Sequence, residues 1–499
     1  MEKDLLQRKP LSLTEKVGWL TIGKFIGRGM LLIVGIIVAR TFTKDTFGTY
    51  QQVFLFSLIS SQLLISGIGG SAIYFLSTTD QTKRLQYITN IIYLLGVCGI
   101  IISLTTYFAA GAIASLIKNP GLKELLQLYS PRPVTDFLCC IFGAVMITEN
   151  RVKEIPIAGV SFSFLYFGGY AIALWLAPTP KGLIIVNVAL GGMNLGYVIW
   201  RCWSVLCELP IKFNRGVFKE QRGYIGAMLF QDAAGKIGYE ADKLTVTYFM
   251  SPARYAVYVI GAKEIPFLQS FTQSVNALLI SEISRLWEQG KKSEILELWR
   301  RAVSKTALVY IPIFIFLIVY AEEFLTLLYS DKYTESVILF QIYLVLIPLR
   351  SASYGLIFQA IGKMKYIIRA TYIFFVFNII TNVVLIKVMG LPGPALATVL
   401  GTYIIAIYYI FSLRSFFDST LLEIFPFVQL GRVFLMTLPA IAVSIATYII
   451  CDGNQPQFVR FLTAGIAFTI IYVLTAFRFD HHAKSLVMKF LNRLGVQYG

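Results

Sequence analysis

Apolar runs of about twenty residues, separated by short polar turns, repeat along the whole chain. Fourteen can be marked. They cover residues 17–40, 50–77, 89–116, 125–147, 155–177, 182–206 and 223–249, then 255–282, 303–321, 336–360, 367–388, 393–413, 431–451 and 457–478. A helix needs roughly 20 such residues to cross a ~30 Å hydrocarbon layer. The pattern therefore predicts an all-α polytopic membrane protein with about 14 transmembrane helices. Two stretches read differently. Between 284 and 305, Ile295, Leu298 and Ala302 fall on one side of a charged segment, which predicts a surface helix. In the tail, Leu486, Val487, Phe490, Leu491 and Leu494 face Lys484, Lys489 and Arg493, which predicts a basic amphipathic helix lying on anionic membrane lipids.

The order of the runs contains a repeat. Shifted by 208 positions, the turn Phe42–Tyr50 lies over Met250–Tyr258, and the first run lies over the seventh. With a slightly different shift, Gly182–Gly191 resembles Gly393–Gly401, and Pro131-Arg132-Pro133 resembles Pro348-Leu349-Arg350. Six spans separate the copies, so both run in the same direction, as in carriers built from parallel repeats with the substrate site between the halves. The expected domains are an N-lobe at 1–206, a basic linker at 207–222 and a C-lobe at 223–413. Two extra spans follow at 414–478, and the tail occupies 479–499.

Composition agrees with the class. Hydrophobic residues make up 57% of the 499 positions and charged residues only 14%, with mean hydropathy +0.69. A soluble domain carries about 25% charged residues. The net charge of +17 does not indicate nucleic acid, because most of the 44 lysines and arginines fall in one set of loops and tails. Positive residues mark the cytoplasmic side, which places both termini there. The six cysteines have no metal-ligand or disulfide spacing, and the only histidines are His481 and His482 in the tail. The chain has no P-loop and no nucleophile–base arrangement, so neither an enzyme nor a cofactor is expected.

The residues that carry chemistry are ionisable groups inside apolar runs. Lys24 and Arg28 stand four apart in the first run, on one helical face, with no acid in that run. Arg28 lies near mid-membrane, where a cation costs about 2.5–3.5 kcal/mol. In the seventh run Asp232, Lys236 and Glu240 recur on one face, followed by Asp242 and Lys243. Lys263 and Glu264 precede an expected kink at Pro266, Arg132 stands four residues before Asp136, and Arg350 follows Pro348. Two readings stay open. The cations Lys24, Arg28, Arg132, Lys236, Lys263 and Arg350 line a cationic lumen for an anionic substrate, with Asp136, Asp232, Glu240, Asp242 and Glu264 balancing charge or coupling transport. Alternatively they neutralise one another, Arg132 with Asp136 and Lys236 with Asp232 and Glu240. Asn378 and Asn382 read as hydrogen-bonding glue between helices.

Four segments carry a family resemblance: Val38–Tyr50, Gly67–Leu76, Glu240-Ala-Asp-Lys243 with Tyr255-Ala-Val-Tyr258, and Asn378–Asn382 with Gly390–Ala397. In this order they resemble the multidrug/oligosaccharidyl-lipid/polysaccharide exporter (MOP) superfamily, in its polysaccharide-biosynthesis branch of Wzx-type flippases. The resemblance implies two six-helix lobes in a V and alternating access. It implies export of undecaprenyl-diphosphate-linked oligosaccharide for surface polysaccharide, O-antigen or capsule, across a bacterial inner membrane. Its partners would be the lipid-linked anionic glycan, a polysaccharide polymerase and glycosyltransferases. A lipid II flippase and an ion-coupled multidrug exporter are the alternatives. A multidrug exporter binding cations should favour acids over Lys24 and Arg28.

Overall fold

A computed structural model describes residues 13–78, 81–149, 151–263, 265–451 and 455–479, and every regular element among them is helical. The helices are α1 Leu13–Thr41, α2 Lys44–Thr78, α3 Gln81–Leu116, α4 Gly121–Tyr129, α5 Arg132–Cys139, α6 Ile141–Thr148 and α7 Glu154–Leu176. There follow α8 Pro180–Cys207, α9 Arg215–Phe249, α10 Pro252–Gly261, α11 Pro266–Glu288, α12 Lys292–Val319, α13 Ala321–Tyr329 and α14 Ser336–Leu344. The last seven are α15 Leu346–Leu349, α16 Leu356–Ala360, α17 Met364–Met389, α18 Pro392–Phe417, α19 Leu421–Ile424, α20 Phe427–Ile450 and α21 Gln457–Phe479.

Each of the fourteen apolar runs falls on one helix or on a chain of short ones. Among the described residues, eight helices are long and apolar enough to cross a membrane, or nine if α4 and the α5–α6 pair, bent by 40°, form one span. The chain is therefore a multi-pass, all-α membrane protein, while length and hydropathy alone do not establish fourteen crossings. Helix α9 falls outside this set. It carries Asp232, Lys236, Glu240, Asp242 and Lys243, and these charges lower its hydropathy.

Three details are explained by turn chemistry. The fourth and tenth runs are both broken near their Pro–Arg sequences: Pro131 precedes α5, and α15 ends at Leu349, just after Pro348, with Arg350 as its C-cap. Proline lacks the N–H that would continue the ladder. At Pro266 the expected kink is a complete break, with Ile265 extended at φ −81°, ψ 108° ahead of the ring. The surface helix expected within 284–305 does not form. Helix α11 runs on to Glu288, Gly290 turns the chain at φ 73°, and α12 begins at Lys292. Ile295 and Trp299 are fully buried in a core with Ile283, Ile357 and Leu413, so the apolar side faces protein rather than lipid. The amphipathic tail lies outside the described residues.

The chain divides into two compact units, Met1–Val259 and Ile260–Gly499. In the first, α1 packs on α7, α2 lies along α9, and α3 rests on α4 and α5. Ile68, Ile91, Leu95, Phe137 and Met146 form its apolar centre. In the second, α17 pairs with α18, α11 and α12 pack together, and the extra helices α20 and α21 pair with each other beside α12. Ala440 and Ala464 are fully buried there, and small residues allow such close helix approach in a membrane protein.

Candidate functional site

In the second unit, two proline-disrupted segments bring two cations into one cavity. Residues 262, 263 and 265 are non-helical between α10 and α11, and Arg350 is the C-cap of α15. Lys263 and Arg350 line the same cavity of about 30 Å³, together with Ala262, Ile265, Leu268 and Tyr343. The Lys263 ammonium also stands 5.6 Å from the centre of the Tyr329 ring, within cation–π range. Neither contact was visible from spacing, because the two cations stand 87 positions apart in the chain.

Beside this cavity lies an apolar groove of about 770 Å³ between α12 and α21. Leu308, Pro312, Phe316, Phe461, Gly465 and Phe468 are among its walls. Ile265 lines both spaces, so the cationic cavity and the groove are neighbours across one side chain. The sequence held no signal for the groove, whose residues look like any other apolar positions in a membrane helix.

In the first unit, Arg132 is held from several directions. Its Nε donates to Asp136 Oδ1 at 2.8 Å, and its Nη1 donates to the Tyr166 hydroxyl at 2.5 Å and to the Asn187 carbonyl at 2.6 Å. Gly191 makes room for it, since a Cβ there would sit 2.6 Å from Arg132 Nη1. The network continues from Asn187 Nδ2 to the Tyr170 hydroxyl at 2.9 Å, and Tyr50 and Tyr170 share a hydrogen bond of 3.3 Å. The i,i+4 spacing of Tyr166 and Tyr170 on α7 was the available signal for this face, and sequence reasoning missed it.

Such enclosure makes a stability prediction. Arg132→Ala strands the Asp136 carboxylate and should destabilise the first unit by roughly 3 kcal/mol, the lower end of the range for a buried pair. The lower end applies because the Asp136 side chain keeps 31% of its exposure. Adding Asp136→Asn should restore most of the folded yield, measured by size-exclusion profile and thermal unfolding. Equal stability of Arg132→Ala and the wild type would show that the pair contributes nothing.

The α9 charges divide differently from the i,i+4 expectation. Glu240 pairs with Lys243 at 2.6 Å, one turn on. Asp242, only 2% exposed, accepts from the Tyr258 hydroxyl at 2.8 Å, which ties α9 to α10. Lys236 is half-buried and attracted by Asp232 one turn before it, with the Cys140 thiol also near. On α1, Gly23 and Gly27 give close contact with α7, at Pro156 and Ser163. Arg28, the next position round from Gly27, is half-buried. The Lys24 side chain and the whole of Glu264 lie outside the described residues. Asn378 and Asn382 are fully buried on α17, and Asn382 Nδ2 donates to the Asn378 carbonyl at 2.7 Å within the helix. Among the described residues no group of His, Cys, Asp and Glu could hold a metal ion.

Against known proteins, the family described as polysaccharide biosynthesis protein matches residues 37–338, more than half of the chain. The chain belongs to that family. The family described as lipid II flippase MurJ matches residues 264–469. An uncharacterised membrane protein of Methanocaldococcus jannaschii is 21% identical over 96% of this chain and 98% of its own length. The probable low-salt glycan biosynthesis flippase Agl15 of Haloferax volcanii is 22% identical over 55% of this chain and 57% of its own. Among solved structures, lipid II flippase MurJ in an inward closed conformation has TM-score 0.75 at 17% identity, covering 93% of this chain and all of that one. An inward-facing multidrug MATE transporter of the MOP superfamily has TM-score 0.63 at 13% identity, covering 78% of this chain and 94% of its own. At these identities the structural likenesses establish the fold.

Proposed function

We propose that the chain moves a lipid-linked anionic glycan across the membrane by alternating access, with both termini on the cytoplasmic side. One observation carries the reading: Ile265 joins a cavity lined by Lys263 and Arg350 to an apolar groove of about 770 Å³. A polyprenyl diphosphate has the same division, an anionic head and a long apolar tail. Arginine grips phosphoryl oxygens bidentately while lysine supplies a point charge. The groove removes prenyl carbons from water, at about 25 cal/mol per Å² of apolar surface where they were exposed before. At about 30 Å³ the cationic cavity admits water or one phosphoryl oxygen, so it must widen when a diphosphate enters.

Within the first unit, Arg28, Lys236 and Lys24 are proposed contacts of its own for an anionic substrate. Arg132 is assigned to holding its bundle together, since its guanidinium is already engaged by Asp136, Tyr166 and Asn187. The glycosyltransferases that build such a substrate and the polymerase that consumes it are its functional partners. A second reading, transport of lipid II, is favoured by the MurJ family match over 264–469 and uses the same head-and-tail chemistry.

The test uses purified protein and a series of prenyl diphosphates, with thermal stabilisation as readout. A long-chain prenyl diphosphate should stabilise the wild type, and Lys263→Ala with Arg350→Ala should abolish the shift. Gly465→Leu fills the groove and should weaken the long-chain ligand while leaving a two-isoprene diphosphate unaffected. Stabilisation by a lipophilic cation, with no response to any diphosphate, would reject the reading in favour of drug export. Competition between lipid II and a surface-glycan precursor then separates the two lipid-linked readings.

A further inference from the structure

One end of the first unit, at the 207–215 connection, carries bonds that apolar packing does not require. After α8 the residues Glu208–Asn214 belong to no helix, so their backbone groups must find partners elsewhere or remain with water. Helix α3 supplies the partners. Asn90, fully buried, accepts from the Asn214 N–H at 2.9 Å and donates to the Asn214 carbonyl at 2.9 Å. One side-chain amide thus holds both backbone groups of a single residue. Gln86 Oε1 accepts from Asn214 Nδ2 at 3.0 Å, while Asn214 Oδ1 caps α9 through the N–H groups of Gly216 and Val217. Tyr93 donates to the Ile211 carbonyl at 2.6 Å and Tyr87 donates to Glu220 at 2.5 Å.

Next to these bonds sits an aromatic plug. Tyr74 of α2 stacks on Tyr224 of α9 with ring centres 4.6 Å apart and planes 12° from parallel. Phe75, Tyr87 and Val217 fill in around Tyr224. Farther along the same seam the contact passes to small residues, with Gly67 against Leu229 and Gly70 against Met228. At these described contacts the seam is apolar and close, and its hydrogen bonds gather where the connection meets it. Apart from the Tyr87 bond to the Glu220 carboxylate, these hydrogen bonds are neutral and exchange for water at little net cost, which suits a contact that must break and re-form.

We propose that Asn90 and the hydroxyls of Tyr87 and Tyr93 form a clasp on a gate. Closed, the clasp pins residues 211–214 and the first turn of α9 against α2 and α3. Released, it lets that end of α9 leave α2 and opens their seam to the cytoplasm. The inference rests on the alternating-access reading, because a rigid scaffold has no use for a releasable bond set.

The test follows solvent access with no substrate present. The six native cysteines are replaced, and single cysteines are placed at Val217→Cys, in the plug, and Ser71→Cys, deeper on α2, where Ser71 is fully buried one turn from Gly67. Maleimide labelling rates are compared with and without Asn90→Ala. The clasp requires both rates to rise about tenfold or more. A rise at Val217→Cys alone would mean that the bonds only prevent local fraying, and no rise at either position would likewise overturn the gate. Tyr87→Phe and Tyr93→Phe each remove one hydroxyl and should move both rates in the same direction by a smaller factor. They keep the test decisive if Asn90→Ala folds poorly, since unchanged rates in both also reject the clasp. Because no ligand is involved, a failed prenyl-diphosphate assay leaves the labelling result standing, and the converse also holds.

Discussion

Gly48→Ala is expected to lower the thermal stability of the purified protein, the reverse of what this change does in an open helix. Replacing glycine by alanine inside a helix ordinarily gains up to about 1 kcal/mol. At Gly48, however, a Cβ would stand 1.8 Å from the carbonyl oxygen of Pro252 and 2.5 Å from its carbonyl carbon. Both are backbone atoms, so no side chain can turn aside, and the first turns of α2 and α10 must part. Overpacking of this kind costs typically 1–3 kcal/mol, more than the propensity gain. Gly168 on α7 supplies the control, because nothing lies within 4 Å of a Cβ built there. Gly168→Ala should melt at or above the wild-type temperature, Gly48→Ala below it, and Gly48→Val lower still. If Gly48→Ala and Gly168→Ala melt together, the close approach of α2 and α10 is not a feature of the protein in solution.

Gly48 also shows what was legible in the chain and what was not. The two turns that touch here, Phe42–Tyr50 and Met250–Tyr258, are the pair related by the 208-residue shift, and in that alignment Gly48 stands over Ala256. The repeat was visible because it is written in the order of residue types. Which copy needed the glycine was not, because that depends on which backbone lies opposite. The same division holds elsewhere. The Arg132–Asp136 pair followed from a four-residue spacing on one helix, and its 2.8 Å contact needs only that geometry. Lys263 and Arg350 meet through two broken helices far apart in sequence, and no local rule brings them together. Glu240 offered a choice between partners one turn before and one turn after, and local periodicity could not choose between Lys236 and Lys243. Proline breaks were legible as breaks, but a proline announces neither how far the helix axis turns nor what the freed segment will face.

Arg28→Ala is expected to abolish most transport while leaving the amount of folded protein in the membrane unchanged. Its helix is fixed by Gly23 and Gly27 against Pro156 and Ser163 of α7, which sets the direction in which Arg28 projects. Arg28 is half-buried, and at the mid-membrane depth expected from its place in the first apolar run its removal relieves an insertion cost of about 2.5–3.5 kcal/mol, so insertion should not suffer. Transport should, if the guanidinium holds diphosphate oxygens in two parallel bonds. Arg28→Lys retains the charge and loses that geometry, and should fall between Arg28→Ala and the wild type. A structural role predicts another pattern. If Arg28 neutralises a buried acid, its removal strands that acid and lowers the folded amount, by about 3–5 kcal/mol of stability for a buried pair. Glu240 already pairs with Lys243, which leaves Asp232 as the acid to test on that face. Asp232→Asn should then restore folded protein in the Arg28→Ala background. The measurements are taken on one preparation: folded protein by fluorescence-detected size exclusion, and transport of a fluorescent prenyl-diphosphate glycan in proteoliposomes. Normal folded amount with lost transport assigns Arg28 to the substrate head. Lost protein rescued by Asp232→Asn assigns it to the fold, and Arg28 then drops out of the proposed contacts for the anionic substrate.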